Sequence, residues 1–132
     1  VIVYLLDTNI CIAILKTNPQ VMAEFNNKFS HCYISSIILA ELYKGAYCSQ
    51  KIPQNIQNLN KLTAIIPVIE FDQMAAEEFG QIQAQLRKMG RPTGELDAAI
   101  AAVARSRYDI LVTNNTRHFI NIPDLKLENW LN

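Results

Sequence analysis

The sequence carries no surplus of charge: twelve lysines and arginines balance twelve aspartates and glutamates. No overall positive field therefore draws the molecule to a polyanion, and any nucleic-acid surface must be local. Cysteine is scarce. Cys11, Cys32 and Cys48 form no C-x-x-C pair, and no histidine stands at zinc-ligand spacing, which excludes a zinc site and favours reduced, mostly buried thiols of the cytoplasm. Long apolar runs are missing as well; none approaches the ~18 residues of a membrane span. The apolar opening Val1 to Leu6 meets Asp7 too soon for a signal peptide. There are no repeats, low-complexity stretches or linkers to mark a boundary. With half of its 132 residues apolar, the chain is expected to form a single domain, 1–132, around one core.

The patterning alternates between strands and helices. Val1 to Leu6 reads as a strand buried on both faces that delivers the polar Asp7-Thr8-Asn9. A short helix follows over Ile10 to Leu15, then a strand at Cys32 to Ile34. Ser35-Ser36 can cap a helix from Ile37 to about Tyr47. Ile56, Leu59 and Leu62 have helical spacing, and Ala64 to Phe71 reads as a strand that Pro67 confines to a sheet edge. Asp72 can cap an amphipathic helix to about Met89, with Met74, Phe79, Ile82 and Leu86 as its core stripe, stopped by Gly90-Arg91-Pro92. A nearly all-apolar helix spans Glu95 to about Ser106. Asp109 to Thr113 makes another buried strand, opening into Asn114-Asn115, and Leu125 to Leu131 adds a short one. Strands alternating with helices imply crossover connections, and so an α/β fold: a three-layer α/β/α sandwich with a mainly parallel central sheet.

Three carboxylates stand out. Asp7 follows directly on a buried strand, where ligands of open α/β sheets gather, although aspartate is also an ordinary loop and cap residue. Glu41 sits in Ser36-Ile37-Ile38-Leu39-Ala40-Glu41-Leu42 among large apolar side chains; its competing role is a surface pair with Lys44. Asp97 lies in Leu96 to Ala104, a helix expected to be buried nearly all round. Placement near a helix N-terminus contributes about 0.3–1 kcal/mol, whereas an unpaired buried charge costs several. No lysine or arginine lies one turn away, so a cation is the better partner. Carboxylates gathered by a fold resist ionising together unless a divalent ion neutralises them. All-oxygen ligation points to Mg²⁺ or Mn²⁺ rather than zinc, and phosphodiester hydrolysis is the chemistry such ions suit.

Leu6-Asp7-Thr8-Asn9, Ser36 to Gly45 (SIILAELYKG), Gly94 to Ala104 (GELDAAIAAVA), Leu111 to Phe119 (LVTNNTRHF) and the closing IPDLKLENW from Ile122 together resemble the PIN-domain nucleases, and among them the VapC toxins of bacterial toxin–antitoxin pairs. The resemblance covers almost the whole chain. It implies that Asp7, Glu41 and Asp97 are metal ligands, that Thr8 and Thr113 support them, and that a metal-activated water attacks RNA in line, leaving 5′-phosphates. It further implies a homodimer and a VapB-type antitoxin whose C-terminal segment occludes the acidic pocket. The sequence departs from the commonest family pattern at Asn115, where many relatives have a fourth acid, and at His118, where some have a compensating one. Asn115 is thus a candidate catalytic position offering only a neutral oxygen. A firm first metal site and a weak or substrate-dependent second one are expected. Of the basic residues Lys44, Arg87, Lys88, Arg91, Arg105, Arg107 and Arg117, only Arg117, two residues beyond Asn115, is expected at the site rim.

Two other readings remain open at this point. Asp7 could be a phosphorylated nucleophile, although Asn9 removes the second acid of a D-x-D start. Alternatively, with Asn115 in place of an acid, the fold could serve as a catalytically weak or inactive domain that binds RNA or a protein partner.

Overall fold

A computed structural model describes residues 1–131. Its elements, in chain order, are β1 (Tyr4–Leu6), α1 (Thr8–Leu15), α2 (Pro19–Lys28), a 3-10 turn (Phe29–His31), β2 (Cys32–Ser35), α3 (Ser36–Tyr47), α4 (Ile52–Ile65), β3 (Val68–Ile69), α5 (Gln73–Lys88), α6 (Glu95–Arg107), β4 (Ile110–Val112), α7 (Thr116–Phe119) and β5 (Lys126–Glu128). The five strands form one sheet in the order β3-β2-β1-β4-β5. Every pairing is parallel, with Tyr4 opposite Cys32 on one side and Ile110 on the other.

Tyr4, Leu5 and Leu6 are all buried, as are all four residues of β2. Successive strand residues point to opposite faces, so the centre of the sheet is covered on both sides and the three-layer α/β arrangement holds. One continuous core joins Leu5, Leu6, Ile34 and Leu111 of the sheet with Ile10, Ile38, Ile82, Leu86 and the alanine-rich face of α6. Alanines at 98, 101, 102 and 104 let α6 lie deep; each is fully covered.

Local chemistry explains most boundaries. Asp7 caps α1 and Ser35 caps α3, its side chain accepting from the Ile38 N–H at 3.2 Å. Asp72 caps α5 by accepting from the Ala75 N–H at 2.9 Å. Gly90, at φ 65°, takes the left-handed turn that ends α5. No helix among the described residues is long and apolar enough to cross a membrane.

Several expectations need correction. Helix α2, unforeseen, starts on Asn18-Pro19: the Asn18 side chain accepts from the N–H groups of Gln20 and Val21, and proline occupies the first helical turn. Helix α4 extends through Ala64 and Ile65, so the third strand shrinks to Val68–Ile69; it is an edge strand as Pro67 implied. Met74 is 64% exposed, and the buried stripe of α5 runs through Ala75, Ile82 and Leu86 instead, with Phe79 half-buried.

Candidate acidic site at the strand ends

The strand order reverses between β1 and β4, each of which has the later or earlier strands on its far side. At such a switch point the connections leave in opposite directions and open a crevice at the carboxyl ends of the strands. Asp7 directly follows β1 and Thr113 directly follows β4 at that crevice.

Asp7 is fixed at every polar atom. Its N–H donates to the Val112 carbonyl at 2.9 Å, and its own carbonyl accepts from Ile10 and Cys11. Its carboxylate accepts from the Thr8 N–H at 2.8 Å and from the Thr113 hydroxyl at 2.7 Å. The Thr113 oxygen in turn accepts from the Asn115 N–H at 3.0 Å. Asn9, useful at first only for excluding a D-x-D start, braces the next loop: its side chain accepts from the Asn114 N–H at 3.0 Å.

Only 4% of Asp7 is exposed. Burial pushes its carboxyl above the usual value of 3.8, the hydrogen bonds from Thr113 and Thr8 pull it back, and the charges of Asp97 and Glu41 raise it further. Both other acids are thus close enough for their charge to be felt at Asp7. Asp97 is less buried than the composition of its helix implies: its side chain is 29% exposed and meets the His118 Nδ1 at 3.3 Å. It is Asp7 that bears the desolvation. Glu41, half-buried on the second turn of α3, lines a cavity of about 350 Å³ with Thr8, Ile12, Lys16 and Asn55. Asp97 lines a second cavity, of about 440 Å³, with Arg91, Thr93, Arg117 and His118. Asn115 is exposed, and its side chain makes no capping bond to α7.

Among the described residues, no three histidine, cysteine, aspartate or glutamate side chains stand close enough together to hold a metal ion as they lie. The chemistry of the set nevertheless suits a hard divalent cation: carboxylate oxygens dominate it. The Thr8 hydroxyl is buried with no hydrogen-bond partner, an orphan beside Asp7 that a ligand or its water shell would satisfy. The cysteines take no part. Cys11 and Cys32 are buried, and burial pushes the Cys32 thiol up to about 12, while Cys48 is exposed.

A five-stranded parallel sheet with the Asp7 carboxylate at its switch point, and Glu41 and Asp97 near enough to raise its pKa, defines an α/β protein with an acidic site. The chain belongs to the PIN-domain family, whose profile, described as PIN domain, matches residues 4–125. It is 43% identical over 128 residues to the tRNA(fMet)-specific endonuclease VapC of Shigella flexneri, covering 96% of this chain and 97% of that protein. It is 40% identical over 129 residues to ribonuclease VapC2 of Haemophilus influenzae strain Rd, covering 97% and 98%. Among solved structures, a chain of DNA-bound VapBC from Salmonella typhimurium superposes with a TM-score of 0.93 at 37% identity, covering 98% of this chain and 99% of that one. A chain of VapBC2 from Rickettsia felis, bound to a promoter DNA fragment, gives 0.92 at 33%, covering 98% and 99%.

Proposed function

We propose that the chain is the ribonuclease toxin of a VapBC-type pair, acting as one unit over residues 1–132 and hydrolysing RNA with Mg²⁺ or Mn²⁺ held by Asp7, Glu41 and Asp97. The observation that carries the reading is Asp7: a buried carboxylate, aligned by two hydrogen bonds, whose charge is opposed by Glu41 and Asp97. Such an arrangement is costly in isolation and is offset by a cation. When bound, the ion supplies charge neutralisation at the phosphate and activation of a water for attack.

The residues of the chain do the positioning. Thr113 and the Thr8 N–H fix the direction of both Asp7 oxygens, so that one ligand is preorganised. Glu41 and Asp97, on separate helices and partly exposed, are the two further carboxylates that would hold the ion, Asp97 lying beside His118. The Thr8 hydroxyl is left to serve the hydration shell. Asn115 contributes a neutral polar group at the rim, so a second ion would rely on substrate oxygens. Attack by water rather than by the RNA 2′-hydroxyl leaves 5′-phosphates.

Two relatives at 43% and 40% identity are named tRNA(fMet)-specific endonucleases, which makes initiator tRNA the first substrate to try. By the same likeness to VapBC complexes, the partner is a VapB-type antitoxin that covers the crevice, and the toxin works in the cytoplasm as a homodimer.

The test is incubation of the purified chain and its Asp97→Asn variant with initiator tRNA and total RNA, with Mg²⁺, Mn²⁺ or chelator, followed by mapping of fragment ends. Discrete fragments with 5′-phosphates, lost in chelator and in the variant, are expected. The spacing of the acids and the neutral Asn115 favour one rival, a binding domain with no turnover. Intact RNA under both metals from folded, antitoxin-free protein would establish that rival.

A further inference from the structure

We infer that Arg91 and Arg117 form a phosphate-binding subsite beside the acidic crevice, taking a backbone phosphate of the RNA on the Asp97 side; the identity of the polyanion rests on the nuclease reading above. The two arginines line the same cavity of about 440 Å³ as Asp97, from different walls. Arg91 stands in the connection between α5 and α6. Its N–H donates to the Leu86 carbonyl at 2.9 Å, directly after the left-handed Gly90 and before Pro92, so its backbone is held. Arg117 lies in α7, a different element, two residues past the Asn115 whose N–H meets Thr113. The Thr93 hydroxyl reaches the His118 carbonyl at 3.5 Å and ties the walls together.

Charge pairing separates these two arginines from Arg105 and Arg107, and the cavity they line separates them from Arg87. Arg105 is consumed by Glu78, Gln85 and the Pro123 carbonyl, and Arg107 by Asp109. Among the described residues, neither the Arg91 nor the Arg117 guanidinium has an ion-pair or hydrogen-bond partner. Two unpaired guanidiniums outweigh the single Asp97 carboxylate in the cavity lining. Guanidinium forks match phosphate oxygens. In a chain of zero formal net charge, such a local concentration of free cations is what retains a polyanion.

The experiment measures binding of initiator tRNA in chelator, where no cleavage intervenes, over a range of KCl, for the wild type, Arg91→Gln, Arg117→Gln and the double variant. Each phosphate contact removed lowers the slope of log affinity against log salt by about 0.7–0.9. Each single variant is expected to show that drop and to bind several-fold more weakly, with the double variant losing both increments. Arg87→Gln, on α5 and outside this cavity, is the control and keeps the wild-type slope. Both substituted side chains are exposed, and an unchanged thermal melt verifies the fold. Equal slopes in the arginine variants and wild type, or no binding by wild type, would overturn the subsite. Cleavage by wild type under Mn²⁺ is scored separately: tRNA cut without an arginine effect removes the subsite alone, whereas an arginine effect without cutting removes the nuclease and keeps the subsite.

Discussion

Asp7 is held in a conformation that favours its neutral form. Its folded-state pKa lies above the unfolded value, chiefly through burial, so the group's contribution to stability is fully present below the unfolded value of 3.8 and is lost as pH rises through the folded value. In chelator, Asp7→Asn should therefore be more stable than wild type at pH 7, by a few degrees in Tm, with the difference vanishing toward pH 4. Thermal melts at the two pH values decide it. A variant that is less stable at pH 7, or equally shifted at both, would show that desolvation does not govern this residue. The same residue shows how far side-chain reasoning reached from sequence. All three acids were visible as candidates, because polar residues break apolar patterns. The burial expected of Asp97 from the composition of its helix does not hold, because Asp97 sits in the first turn with its side chain partly exposed. Only the fold reveals that Asp7, on a loop next to a strand, is the more deeply desolvated.

Helices α5 and α6 pack against each other, and the buried Arg105 secures them. Arg105 is 8% exposed; it reaches Glu78 on α5, donates to the Gln85 Oε1 at 2.8 Å, and to the Pro123 carbonyl at 3.1 Å ahead of β5. Arg105→Ala strands those acceptors and should cost about 2–3 kcal/mol in denaturant unfolding, below the 3–5 kcal/mol of a fully buried pair because Glu78 stays partly hydrated. A loss under 0.5 kcal/mol, typical of a surface ion pair, would contradict this account. Helix α6 carries Asp97, so the same variant should also weaken metal response. In sequence, Arg105 looked like one more basic residue, since its partners lie 27, 20 and 18 positions away. Elements with strong local punctuation were legible: the caps Ser35 and Asp72, the stop at Gly90, and the apolar run of β1. Helix α2 also carries local punctuation in Asn18-Pro19, a side-chain cap followed by proline in the first turn. Met74 was misassigned because its hydrophobicity counted for more than the smaller Ala75, whose angular position on α5 is the one that meets the core.

At the scale of the whole molecule, the site exists only because Tyr4, Leu5 and Leu6 pair with Ile110, Leu111 and Val112 across more than a hundred residues. Alternation of elements indicated a parallel sheet, but strand order is a property of long-range pairing that no local pattern encodes. The family resemblance supplied what periodicity could not. Such an assembled site predicts a global response: an ion that binds the folded crevice and not the unfolded chain stabilises by about 2.7 kcal/mol at a hundredfold excess over its Kd, on the order of 10 °C in Tm for a chain of this size. Mn²⁺ titrated into the wild type should give a shift of that order, abolished in Asp7→Asn and reduced in Glu41→Gln. Asn115→Asp restores a negative charge at the rim beside Thr113 and should enlarge the shift, whereas Asn115→Ala, which removes only a neutral group, should leave it near wild type. Differential scanning fluorimetry with Mg²⁺ alongside Mn²⁺ reads all four variants. A shift that survives intact in Asp7→Asn would locate the ion away from the switch point and separate the metal response from the three acids on which the proposed chemistry depends.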